Sequence, residues 1–129
     1  MVILQSLLLP QKCYIVVILA PGSAYFSYSN TITGGEYNDI YNGYSSGILS
    51  GTMSWMDFSR SSAIASGEKN WIRGSCDSKV RFSFIGAGYE NTITFSDGAA
   101  IVSGDSNIIG GDSHGSFVGA GENNHILTN

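Results

Sequence analysis

From Thr31 onward the apolar residues return on a beat that fits neither a helix nor an alternating strand. The chain divides into copies of one unit, beginning with "TITGGEYNDIYNGYSS" (31–46) and "GILSGTMSWMDFSRSS" (47–62). "AIASGEKNWIRGSCDS" (63–78) follows, with an extra "KVRFS" (79–83). Then come "FIGAGYENTITFSDGA" (84–99), "AIVSGDSNIIGGDSHGS" (100–116) and the short "FVGAGENNHILTN" (117–129). Position 2 of the unit holds Ile32, Ile48, Ile64, Ile85, Ile101 and Val118, and position 10 holds Ile40, Met56, Ile72, Ile93, Ile109 and Ile126. Position 5 is always glycine (Gly35, Gly51, Gly67, Gly88, Gly104, Gly121), and position 8 is Asn in every copy but one, where Ser54 stands.

A helix is excluded because Gly, Ser and Asn interrupt every pattern with apolar residues three and four apart. A repeat near 16 residues is also too short for helical-repeat units. The pattern predicts an all-β fold, a parallel β-solenoid (β-roll) of about six 16-residue coils over residues 31–129. Each coil has one short strand around position 2 and another around position 10, joined by tight turns of Gly, Asn, Ser and Asp. Equivalent residues of successive coils then stack about 4.8 Å apart, so six coils rise roughly 29 Å. The two apolar columns form a thin core, the glycine column a corner that admits no Cβ, and the Asn column a ladder bonding the turns or the next Asn.

Residues 1–30 form a separate N-terminal segment. Its apolar runs "VILQSLLL" and "YIVVILA" are divided by Pro10, Gln11 and Lys12, and neither reaches the roughly 18 residues needed to span a bilayer. "YIVVILA" before "PGSA" also has the form of a signal-peptide core and cleavage site, but no positive region precedes it. The segment reads as two β-strands that cap the solenoid or dock into a partner.

The outward positions beside the core columns differ from each other. Positions 1 and 3 carry no charge, and Leu49, Ala63, Ala65, Phe84, Ala100, Val102 and Phe117 make that face largely apolar. Single coils of this size bury little apolar surface, so such a face is expected to be covered by other copies of the chain. Positions 9 and 11 are mixed: Trp55 and Trp71 fall at position 9 of consecutive coils and should stack, with Asp57 and Arg73 pairing beside them. Two aromatic rings on a polar face read as a sugar-stacking platform, or as packing against the extra residues or a neighbouring subunit.

Composition narrows the functional classes. Charged residues are 12%, and 17 glycines with many Ser, Asn and Thr take their place, while 43% apolar residues argue against disorder. Six basic residues scattered along a chain of net charge −4 argue against nucleic-acid binding, since phosphates need clustered Lys and Arg. Cys13 and Cys76 have no metal-ligand spacing, and His114 and His125 lack a second ligand at such a spacing. Asp97, Asp105 and Asp112 fall where turns favour Asp, and no Ser sits in a nucleophile elbow. No enzyme activity and no cofactor are expected.

"SFIGAGYENTI", "AIVSGDSNIIGG" and "GSFVGAGENNHI" resemble the YadA-like head repeats of trimeric autotransporter adhesins, and similar repeats of virus and phage fibre proteins. The resemblance covers roughly residues 31–129 and implies a β-roll assembled as a side-by-side homotrimer. It departs in its longer coils and in the extra residues of the third. With no coiled-coil stalk or membrane-anchoring barrel after Asn129, the expectation moves towards a virion: a short trimeric fibre, spike or capsid decoration protein. In that setting the N-terminal strands engage another virion protein. The alternatives are a cell-surface or extracellular adhesin that binds a host-surface glycan through Trp55 and Trp71, and a tailspike-type glycan hydrolase.

Overall fold

The computed structural model describes residues 29–128 in full, together with the backbone of three short strands nearer the N-terminus. The chain winds into about six stacked coils. One parallel sheet collects the position-1 and position-2 residues: β4 (Thr31–Ile32), β6 (Gly47–Ile48), β9 (Ala63–Ile64), β12 (Phe84–Ile85), β14 (Ala100–Ile101) and β16 (Phe117–Val118). A second collects positions 9 to 11: β5 (Asn38–Tyr41), β7 (Trp55–Asp57), β10 (Trp71–Arg73), β13 (Thr92–Thr94), β15 (Ile108–Gly110) and β17 (His125–Leu127). Register follows the repeat, Ile32 on Ile48 on Ile64 in one sheet and Ile40 on Met56 on Ile72 in the other.

Both sheets run on into the N-terminal segment. β2 (Val17–Ile18) lies parallel to β4, β3 (Gly22–Tyr25) parallel to β5, and β1 (Ile3–Leu4) closes the first sheet antiparallel to β2. Val17 and Ile18 pair with Thr31 and Ile32, so these strands continue the coil pattern itself.

Two narrow edges close the coil between the sheets. On one, position 6 forms a ladder of single bridges from Glu36 through Thr52, Glu68, Tyr89 and Asp105 to Glu122. On the other, β8 (Ser59–Arg60) pairs with β11 (Val80–Arg81). That pairing corrects the alignment of the third coil. Val80 and Arg81 occupy positions 13 and 14, so the five extra residues are Ser75–Lys79, not 79–83. They bulge out as a loop closed by Ser75 N–H to Ser78 O and Ser78 N–H to Ser75 Oγ. Cys76 is exposed on it with a free thiol; Cys13 lies outside the described residues.

The core follows from the columns. Ile32, Ile40, Ile48, Met56, Ile64, Ile72, Ile85, Ile93, Ile101, Ile109 and Val118 are buried, with Val80 and Ala99, and Ile126 of the last coil is partly buried against them. Each fully buried Ile contributes about 1.5–3 kcal/mol. Nearly as many buried residues are polar, among them Asn38, Asn70, Asn91 and Asn107 at position 8 and Ser46, Ser62 and Ser83 at position 16. Hydrogen-bond satisfaction therefore matters as much to this interior as apolar burial.

The position-8 amides meet that demand. The Asn91 amide donates to Ala87 O at 3.2 Å within its own turn and to Gly104 O at 2.9 Å in the next coil. Its Oδ1 accepts from Asn107 above. Position 16 works similarly with hydroxyls, Ser83 N–H donating to Ser62 Oγ and Ala99 N–H to Ser83 Oγ.

The glycine corner has two causes. Gly88 sits at φ +107°, and a Cβ there would stand 2.1 Å from the carbonyl oxygen of Gly104 in the next coil. Position 7 is left-handed as well, in all six coils, although none of its residues is glycine: Tyr37, Met53, Lys69, Glu90, Ser106 and Asn123 have φ between 52° and 56°. Such a conformation costs about 1–2 kcal/mol per residue. It is held because the position-7 N–H must turn to reach the position-6 carbonyl of the preceding coil, as Lys69 N does to Thr52 O at 2.9 Å.

Candidate functional site

The outer surface has two broad faces and two edges, each of distinct chemistry. The first face, outside the position-2 strands, carries no charged side chain. Leu49, Phe84, Val102 and Phe117 stand exposed on it, Phe117 most of all at 63%, separated by half-buried Ala63, Ala65 and Ala100. Their side chains point outward because strand residues alternate, and the inward direction belongs to the buried Ile column.

The second face holds Trp55 and Trp71, in register on β7 and β10. Their rings lie 5.5 Å apart, centroid to centroid, and only 5° from parallel. They are half exposed and half used on each other. On their other sides Asp39 neighbours Trp55 and Thr92 neighbours Trp71 in the strand register.

Asp57 and Arg73 are also register partners, but no ion pair closes between them; the ion pairs among the described residues are Lys69–Glu90 and Arg81–Asp97. Asp57 Oδ1 is buried without a hydrogen-bond partner. Burial raises the Asp57 carboxyl pKa above its ordinary value, and the Arg73 charge and the Phe58 N–H only partly oppose it.

The position-6 edge is acidic. Glu36, Glu68, Asp105 and Glu122 are exposed along it. Its one cation among the described residues, Lys69, leans towards the following coil, bonding Tyr89 Oη at 2.8 Å and Glu90 at 3.4 Å. The Tyr89 hydroxyl is the main reason the Lys69 pKa is raised.

The opposite edge gathers cations that the sequence scatters. Arg60 and Arg81 are register neighbours, and Lys79 reaches from the loop to place its Nζ 4.6 Å from the centre of the Tyr44 ring. Above them Asp97 accepts from the Arg81 N–H and Nε, each at 2.8 Å, and its own N–H donates to Nδ1 of His114 at 2.9 Å. Burial pushes the Asp97 carboxyl up, but the Arg81 hydrogen bonds and charge, with a smaller contribution from His114, outweigh it, so its pKa falls below the usual value.

This column escaped the sequence reading because the extra residues were assigned to 79–83, which removed Arg81 from the register. The turn carboxylates do not converge: Asp105 lies on the acidic edge, and Asp97 and Asp112 lie towards the opposite one. Among the described residues no three His, Cys, Asp or Glu side chains form a group able to hold a metal ion. His114 and His125 sit on different surfaces, the basic edge and the Trp face. No family model, curated protein or solved structure matches the chain.

Proposed function

We propose that this chain is a non-enzymatic structural module, a short rigid rod whose copies stand side by side as a homotrimer in a virus or phage particle. The observation that carries the reading is the uncharged face, with Leu49, Phe84, Val102 and Phe117 exposed on a solenoid otherwise rimmed by charge. A flat sheet face that exposes large apolar side chains and carries no charge marks an assembly surface. The virion setting rests on the resemblance to fibre repeats, and there the N-terminal strands engage a second particle protein. Light scattering on the purified chain tests the assembly: a mass of three chains is expected, and a stable monomer at micromolar concentration would overturn it.

The stacked Trp55–Trp71 pair favours a second reading, a glycan-binding surface of an adhesin or receptor-recognition module. A pyranose would lie against the solvent-exposed part of the stacked pair. A glycan array comparing the native chain with Trp71→Ala decides it, since binding by neither form, or equally by both, removes the idea.

A further inference from the structure

The third coil departs from the repeat on the basic edge, and it does so in three ways at once. It carries the extra residues Ser75–Lys79, it sets Arg81 directly beside Arg60, and it holds the exposed ring of Phe82. Insertions in a repeat protein map to loops on one face, often the binding face.

Position 15 shows why Phe82 is out of place. Ser45, Ser61, Phe82, Gly98 and Gly115 all have φ between 49° and 67°. The cause is the one that acts at position 7. From Ser61 onward each N–H turns back to a carbonyl of the preceding coil, as Phe82 N does to Arg60 O at 3.0 Å. Gly accepts that conformation and Ser is small, whereas a bulky residue there is an outlier. Phe82 gains little by burial in return, since it is 68% exposed. A strained residue with no use inside the fold points to a use outside it.

The charges beside it are unbalanced as well. Arg60 and Arg81 are register partners, and like charges set side by side on neighbouring strands are destabilising. Lys79 starts in the third coil and lies over the Tyr44 ring of the first, so its ammonium is drawn down the edge towards Arg60. Asp97 holds Arg81 from the coil above, through Nε and Nη2, and leaves Nη1 unused. Among the described residues no carboxylate pairs with Arg60 or Lys79, not even Asp77 of the same loop.

From these observations we propose that the edge between Tyr44 and Phe82 binds an acidic saccharide, one that bears sulfate or carboxylate groups. Arg60, Lys79 and Nη1 of Arg81 take the anionic group through charge-assisted hydrogen bonds. The Phe82 ring takes the apolar face of the sugar, and the exposed Ser45 and Ser61 of its column take neutral hydroxyls. The cations lie within two coil spacings, about 10 Å. That run suits a short stretch of sugar and is too short to neutralise the many phosphates of a nucleic acid. The site is separate from the Trp55–Trp71 face and rests on neither reading given above.

Calorimetric titration of the full chain tests the proposal, with a sulfated oligosaccharide, an oligogalacturonate and neutral dextran as probes. One or both acidic probes should bind and dextran should not, and the tighter of the two identifies the anion. Arg60→Ala and Lys79→Ala should each weaken binding about tenfold. Phe82→Ser, which copies the residue of the first two coils, should weaken it similarly without lowering the urea midpoint. Trp71→Ala should leave it unchanged. Failure of both acidic probes to bind overturns the proposal, as does binding that Arg60→Ala and Phe82→Ser leave intact. An oligonucleotide of equal charge bound as tightly would show that charge alone is read, and would overturn the saccharide.

Discussion

The side-chain oxygen of Asn91 accepts two hydrogen bonds from Asn107, one from its backbone N–H at 3.1 Å and one from its side-chain amide at 2.9 Å. The same bond pair recurs from Asn107 to Asn124 and from Asn70 to Asn91, so the ladder ties each coil to the next. Asn107→Ala would strip the acceptor from the Asn124 N–H and amide and the donor from Gly121 O. Asn124 and Gly121 belong to the exposed last coil and can bond water instead, so only the net worth of an ordinary hydrogen bond, a loss of about 1 kcal/mol, is expected in urea denaturation. Ser54, the one gap in the ladder, offers Asn70 N–H a longer bond of 3.3 Å. Ser54→Asn should therefore raise the unfolding midpoint.

Two glycines with positive φ should respond differently to alanine. Gly88→Ala drives a Cβ into the Gly104 carbonyl, and the backbone of the next coil cannot yield without breaking its own ladder bonds. Gly98, at φ +64°, has open space around its Cβ position. Gly98→Ala should cost only the left-handed strain, about 1 kcal/mol, whereas Gly88→Ala should abolish cooperative unfolding or lower its midpoint far more. Parallel thermal melts check the contrast.

Tyr37 is 65% exposed at φ +56°, so its side chain contributes little while its backbone is strained. Tyr37→Gly is expected to stabilise the chain by about 1 kcal/mol, and Tyr37→Ile to destabilise it by at least as much, because β-branching worsens the left-handed conformation. Opposite shifts in the urea midpoint are the signature.

Two carboxyls should give opposite pH trends. The raised Asp57 pKa means that its contribution is fully present below its unfolded value of about 3.9 and is lost as pH rises through the folded value. Asp57→Asn should therefore gain stability at neutral pH, and that gain should shrink as the native chain is acidified. Asp97 is depressed, so its contribution is present above about pH 3.9 and is lost as pH falls through its lower folded value. Asp97→Asn should lose stability at neutral pH, with the difference closing below that range. Urea titrations of both variants across this window separate the two.

Much of the fold was legible because a solenoid writes its contacts at a fixed spacing. The spacing of Ile32, Ile40 and Ile48 placed both sheets, since residues that recur in the repeat must stack. Asn38 and Asn70 were readable as a ladder for the same reason, and Trp55 over Trp71 followed from one shared position. Arg73 and Asp57 show the limit: register makes them neighbours, but side-chain geometry decides whether a bond closes, and here it does not.

By itself, then, the sequence determined the coil, its two apolar columns and the uncharged face, because these depend only on periodicity and on which residue types tolerate water. Tertiary structure decided three further things. It placed the five extra residues at Ser75–Lys79, because backbone pairing puts Val80 beside Ser59 rather than leaving it outside the coil. It made position 7 left-handed through residues as unlike as Tyr37, Met53 and Glu90, where the hydrogen bond to the coil below outweighs local preference. And it gathered Arg60, Lys79 and Arg81 onto one edge opposite Glu36 and Glu68, a division of charge visible only when the chain is wound.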